Sequence, residues 1–140
     1  MRSVPQILLD TNVILDALLK RDPWWEAADR IWVATDEERI KVYLSASSLT
    51  DLFYVAKKFT NFQRAHQAVQ ICLEAFEIAT VDRFILEQAL ELPGNDYEDN
   101  VQIACARFLR LDAIVTRDRD GFREAPISIW SPEDCIRHIT

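Results

Sequence analysis

Residues 6–18 read QILLDTNVILDAL, and this stretch decides the fold. Four residues, mostly apolar, run from Gln6 to Leu9 and stop at an acid, Asp10; the pattern then changes to the helical spacing Val13, Ile14, Ala17, Leu18. A short strand, Gln6 to Asp10, therefore feeds directly into a helix. An acid at the carboxyl end of a central strand is costly to bury without a partner, so Asp10 is difficult to read as filler.

Working outward, the same alternation returns. Asp22 with Pro23 predicts the cap and first turn of a helix through Trp24, Trp25, Ala28, Ile31 and Trp32. Lys41 to Ser45 (KVYLS) is a second strand, and the serines after it cap a helix with an apolar stripe at Leu49, Leu52, Phe53 and Ala56. Asn61 opens a helix through Cys72; Glu77 to Val81 is a strand; Asp82 caps a helix through Leu92. Residues 96–110 form a helix capped by Asp96, Asp112 to Thr116 a buried strand, and a turn follows around Gly121. Ile127 to Trp130 closes the strands, and Ser131 with Pro132 starts a terminal helix. Strands alternating with helices predict an α/β fold: a mostly parallel central sheet flanked by helices on both faces, with ligands beyond the carboxyl ends of the strands.

The 140 residues fit one domain, 1–140, with 49% hydrophobic and 28% charged residues. Two glycines and five prolines leave no glycine-rich phosphate loop and no flexible linker. The apolar run near the N-terminus is too short for a signal peptide, and no run approaches membrane-spanning length. Cys72, Cys105 and Cys135 are odd in number, widely spaced and set in apolar helical patterns, which favours reduced core thiols and a cytoplasmic setting. His66 and His138 stand in positions that suit neither a Ser-His-Asp nor a Cys-His arrangement, and packing is the expected role of Trp24, Trp25, Trp32 and Trp130.

The acids carry the chemistry. Asp10 follows strand one, Asp51 is expected in the first turn of the helix after strand two, Asp96 and Asp99 in the first turn of a later helix, and Asp118 with Asp120 after a later strand. Each also has a structural reading: Ser48-x-x-Asp51 and Asp96-x-x-Asp99 have capping-box spacing, and Asp118 and Asp120 suit a polar turn. Gathered on one edge they would repel one another unless a divalent cation compensates, and oxygen-only ligands suit magnesium or manganese. The net charge of −7 argues against gripping nucleic acid through a global basic field.

Four segments, LLDTNVILDALL (8–19), SASSLTDLFYVAKK (45–58), DYEDNVQIACA (96–106) and AIVTRDRDGF (113–122), resemble in order and spacing the signature blocks of the PIN-domain family, of the VapC toxin type. The resemblance implies the doubly wound sheet and a metal-dependent endoribonuclease. One or two Mg2+ or Mn2+ ions would be held by Asp10, Asp51, Asp99 and Asp118. Asp51 falls where the family more often has glutamate. Asn12 and Thr116 match polar positions that orient the acids, and Asp96 is a companion of the third acid. Arg117, Arg119, Arg123, Lys57 and Lys58 are placed to hold flanking RNA phosphates, with solvated surface charge as the alternative. A small antitoxin and a homodimer are implied as partners. Two other readings stay open: a catalytically inactive scaffold of the same fold that binds RNA or a protein, and an aspartate-based phosphatase with Asp10 as nucleophile, in which the Asp-x-Asp usual at that point is here Asp10-x-Asn12.

Overall fold

A computed structural model describes residues 4–139. Among them are five strands, β1 (Gln6–Leu9), β2 (Lys41–Ser45), β3 (Glu77–Ala79), β4 (Ala113–Val115) and β5 (Ile129–Trp130). The helices are α1 (Thr11–Leu19), α2 (Trp25–Asp36), α3 (Ala46–Phe59), α4 (Phe62–Ala75), α5 (Arg83–Leu90), α6 (Tyr97–Phe108) and α7 (Pro132–Ile139), with a single 3-10 turn at Arg119–Phe122. The sheet order is β3-β2-β1-β4-β5 and every pairing is parallel.

Alternation along the strands separates two cores. Ile7 and Leu9 of β1, Val42 and Leu44 of β2, and Ala113 and Val115 of β4 pack with α1, α2, α3, α4 and α7 on one face. Leu8 and Ile114 point the other way, into a smaller cluster with α5 and α6. Ile7, Leu8 and Ile114 are fully buried, and each such side chain stabilises the fold by about 1.5–3 kcal/mol through burial alone. Covering both faces of a parallel sheet is why these strands read as apolar runs rather than alternating ones.

The connections position the site. The chain moves outward from β1 to β2 to β3, then returns through α5 and α6 to lay β4 on the other side of β1. The strand order therefore reverses between β1 and β4, and a crevice opens at their carboxyl ends.

The predicted caps at Asn61, Asp82 and Asp96 are all present, accepting hydrogen bonds from the amides of Arg64 (2.8 Å), Ile85 (3.1 Å) and Asp99 (3.0 Å). The strand ends are shorter than the apolar runs. β1 stops at Leu9, β3 at Ala79 and β4 at Val115, and β5 begins at Ile129. Two helix starts differ. The helix predicted from Asp22 and Pro23 begins at Trp25, because the Asp22 carboxylate accepts the indole N–H of Trp25 at 2.9 Å instead of a backbone amide. In α3 the strand passes to helix with no intervening loop, so Ser48 lies inside the first turn, buried, with its hydroxyl 2.7 Å from that of Ser45. The Ser48–Asp51 capping box is therefore absent, and Asp51 sits in the second turn. Cys72, Cys105 and Cys135 are buried free thiols, pushed up by burial to about 12, 11 and 12. No described helix is long and apolar enough to cross a membrane.

Candidate metal centre at the strand crossover

Asp10 leaves the end of β1 in extended backbone, its amide bonded to Val115 of β4 at 2.9 Å, and its carbonyl accepts the amide of Val13 at 3.0 Å to start α1. Its side chain, only 6% exposed, is held at both oxygens: Gln102 Nε2 donates to Oδ1 at 3.2 Å and Thr116 Oγ1 donates to Oδ2 at 2.9 Å. Burial raises the pKa of this carboxyl and the nearby Asp118 adds to the rise, while the donors from Gln102, Thr116 and the Thr11 backbone oppose it. Two directed donors favour the ionised form of a carboxylate that its surroundings otherwise disfavour.

Around Asp10 the other acids arrive from separate elements. A cleft of about 410 Å³ is lined by Asp10, Asp51 of α3, Asp96, Glu98 and Asp99 at the start of α6, and Asp118 after β4, together with Thr11, Asn12, Tyr54 and Phe122. Asp99 and Asp118 both approach Gly121. A Cβ on that residue would lie 3.1 Å from an oxygen of each carboxylate. Glycine is used there for the close approach, since its φ is not in the left-handed region. Burial, then the charges of Asp96, Asp10 and Asp118, raise Asp99 to about 7. Glu98, at the exposed rim, is pushed up to about 8 by burial of its carboxyl first, then by a hydrogen bond with Asp51 and the surrounding negative charge.

These observations fit a divalent cation. Six acids share one cleft, its lining among the described residues includes no lysine, arginine or histidine, and the carboxyls of Asp10, Glu98 and Asp99 are raised by burial first and by their negative neighbours second. Thr11 Oγ1, buried and lining the same cleft, has no hydrogen-bond partner. Oxygen-only donors are the set that magnesium or manganese prefers. No three described acids already stand close enough to form a ready-made ligand cage. The carboxylates ring a space, and mutual repulsion favours that spread arrangement.

Of the residues singled out in the sequence, Asp10, Asp51, Asp99 and Asp118 do share the cleft, with Asp96 and Asn12 beside them. Thr116 is wholly buried and bridges two acids, donating to Asp10 while its oxygen accepts the amide of Asp118 at 3.0 Å. Asn12 is tied through its carbonyl and side-chain oxygens to Arg21 at 3.1 and 3.4 Å. The five cations are not brought in. Arg117 turns away to a buried ion pair with Asp16 at 2.8 Å, Arg119 lies 3.7 Å from Asp134, Arg123 pairs with Asp120 at 3.1 Å, and Lys57 and Lys58 occupy the exposed last turn of α3. The guanidinium of Arg117 is held by an aspartate on α1. Glu98 and Gln102 belong to the site and were not read from the sequence. Glu98 could have been found as a third acid in the first turn that carries Asp96 and Asp99, whereas Gln102 resembles any polar residue on a helix until packing buries it.

A larger groove, about 650 Å³ between α1, α3 and α4, has a mainly apolar lining with Lys20, Arg21 and Arg64 but no acid. The acids gather at the smaller cleft.

Comparison with known proteins bears on the fold and the family. No curated protein matches the chain in sequence. Among solved structures, similar folds include the DNA-bound VapBC of Salmonella typhimurium (20% identity, 92% of this chain and 99% of that chain, TM-score 0.70). FitAcB of Neisseria gonorrhoeae is also similar (24% identity, 91% and 98%, TM-score 0.69). So is VapC20 of Mycobacterium tuberculosis, described as a toxin that cleaves the sarcin-ricin loop (18% identity, 77% and 86%, TM-score 0.64). At such identities the likeness is one of fold. The sequence model of the PIN domain matches residues 6–120, which span all four signature blocks apart from the last two residues and every acid of the cleft. This chain belongs to the PIN-domain family.

Proposed function

We propose that the protein is a metal-dependent endoribonuclease, a single catalytic domain over residues 1–140 that acts as the toxin of a toxin-antitoxin pair in the cytoplasm. The observation that carries this reading is the convergence of Asp10, Asp51, Asp99 and Asp118 on one cleft that has no basic side chain in its lining. A site so charged repels a phosphodiester unless a divalent cation reverses the local sign. Magnesium or manganese bound there would supply Lewis-acid polarisation of the phosphate and a water of lowered pKa.

The chain's own groups do the rest. Asp10, fixed at both oxygens by Gln102 and Thr116, is the most rigid ligand. Asp99 and Asp118, which both approach Gly121, would hold the cation together with Asp10 and Asp51. Asp51 is one methylene shorter than the glutamate usual in the family, and Glu98, hydrogen-bonded to it in the same cleft, supplies a longer carboxylate beside it. Tyr54, exposed beside the cleft, offers aromatic surface at the rim for a base. Support for the biological role comes from the similar structures, which include one described as a toxin-antitoxin complex from Klebsiella pneumoniae and a toxin described as cleaving the sarcin-ricin loop. We extend from these a small antitoxin that blocks the cleft and a homodimeric state.

The test is incubation with labelled RNA and matched single-stranded DNA, in Mg2+, Mn2+ or EDTA, beside Asp10→Asn and Asp99→Asn. RNA cleavage that requires metal and falls to background in both variants is the expected result. An inactive scaffold would show no cleavage and no rise in melting temperature with Mn2+. A phosphatase would instead be trapped by a beryllium fluoride mimic at Asp10.

A further inference from the structure

Asp16, on α1, is a charged residue only 1% exposed. It is not bare. Arg21 Nε donates to Oδ1 at 2.8 Å, and Arg117 donates from Nε to Oδ2 at 2.8 Å and from Nη2 to Oδ1 at 3.5 Å. The guanidinium of Arg117 also lies over the ring of Trp24, 3.8 Å from its centroid. A planar guanidinium held at its edge by a carboxylate and on its face by an indole has little freedom left.

The position of Arg117 gives this arrangement its consequence. The residue before it is Thr116, which donates to Asp10, and the residue after it is Asp118, whose amide donates to Thr116 Oγ1. The segment 116–118 is thus pinned to β1 by Thr116 and to α1 by Arg117. Arg21 extends the network to Asn12, so the helix that begins at Asp10 and the loop that presents Asp118 are joined by one set of charge-assisted hydrogen bonds outside the cleft.

We propose that Arg117, anchored by Asp16 and Trp24, is a positioning residue that sets where Asp118 stands relative to Asp10 and so tunes divalent-cation affinity, a role that rests on the metal-centre reading above. Charged groups are rarely buried where packing alone would serve. An Asp–Arg pair whose carboxylate is buried and whose guanidinium is partly exposed is weak evidence for stability but a directional tether. Partners that orient metal ligands typically affect affinity by about tenfold to a hundredfold.

The experiment compares wild type, Arg117→Gln, Arg117→Lys, Asp118→Asn and the Arg117→Gln/Asp118→Asn double variant. Arg117→Gln leaves Asp16 paired with Arg21, which preserves the fold; Asp16→Asn is a secondary variant. Two quantities are read: Mn2+ affinity by calorimetry, and hydrogen exchange of the Asp118 and Gly121 amides by NMR in metal-free protein. Arg117→Gln is expected to weaken Mn2+ binding about tenfold or more and to speed exchange at Asp118 and Gly121 while β1 and β4 amides stay protected. Arg117→Lys, which keeps the charge without the fork, falls between. In the Asp118→Asn background, Arg117→Gln should cost no further affinity. Unchanged exchange at Asp118, or an equal loss of affinity with and without Asp118, overturns the proposal. If wild type binds no Mn2+ yet the Asp118 amide still responds to Arg117→Gln, the positioning role stands and the metal-centre reading fails.

Discussion

The carboxylates of Asp99 and Asp118, one from the first turn of α6 and one from the loop after β4, both approach Gly121 so closely that a Cβ there would lie 3.1 Å from an oxygen of each. Negative charge gathered in this way favours a bound proton or cation. Substituting Gly121→Ala places a methyl 3.1 Å from both. Because the backbone of Gly121 suits any residue, the change reports on this contact alone. The expected outcome is weaker Mn2+ binding by calorimetry with little change in the metal-free melting temperature.

The raised carboxyls fix the sign of the pH dependence. Asp99 titrates near 7 in the folded protein against 3.8 for an unperturbed aspartate, and Asp10 is also raised. The folded state therefore holds protons that the unfolded chain has released. This contribution to stability is complete below pH 4 and is lost as pH rises through about 7. Solvent screens Glu98 at the rim, so Asp10 and Asp99 carry most of the effect. Thermal melts of metal-free protein should show falling stability between about pH 4 and 7 from this cluster, flattening above the folded-state value of Asp99. Mn2+ should offset the fall, and Asp99→Asn should raise the metal-free melting temperature near pH 8 while removing the response to metal.

Thr116 has a hydroxyl that serves two partners in a fully buried place. Thr116→Val keeps the shape and strands both the Asp10 oxygen and the Asp118 amide. A loss of about 1–3 kcal/mol in denaturant unfolding is expected for stranding buried polar groups, together with a drop in Mn2+ affinity. Gln102→Leu should lower affinity through Asp10 alone and leave the Asp118 amide protected.

Much of this was legible because the deciding signals are local. An apolar run broken by Asp10 announces a strand end, and Asn61, Asp82 and Asp96 announce helix starts, since each cap bonds to an amide three residues on. Strand ends were read too long because the apolar pattern continues past the last ladder bond, as at Thr80 and Val81 after β3. The α2 start was misplaced because Asp22 has a side-chain donor, Trp25, that competes with the backbone. The Arg117–Asp16 pair spans 101 positions, and Gln102 reaches Asp10 across 92. Nothing near either residue in sequence marks those contacts, which exist only once the sheet has placed β1 beside β4. Arg117 could be read from sequence as a surface cation for that reason.

RNA binding should share the metal requirement, since the cleft itself presents no lysine or arginine to a phosphate. Filter binding of a short RNA to the Asp10→Asn variant, which prevents turnover, should be weak in Mn2+ as in EDTA, whereas wild type with Ca2+ in place of Mn2+ should retain RNA.

The most direct measurement of the central claim is the chemistry of the ends left on cleaved RNA. Attack by water with departure of the 3′ oxygen leaves a 5′ phosphate and a 3′ hydroxyl. The account predicts these termini, formed only with Mg2+ or Mn2+ and lost in Asp10→Asn. Cleavage that proceeds in EDTA to 2′,3′-cyclic phosphate ends, or no cleavage with either metal, would contradict it.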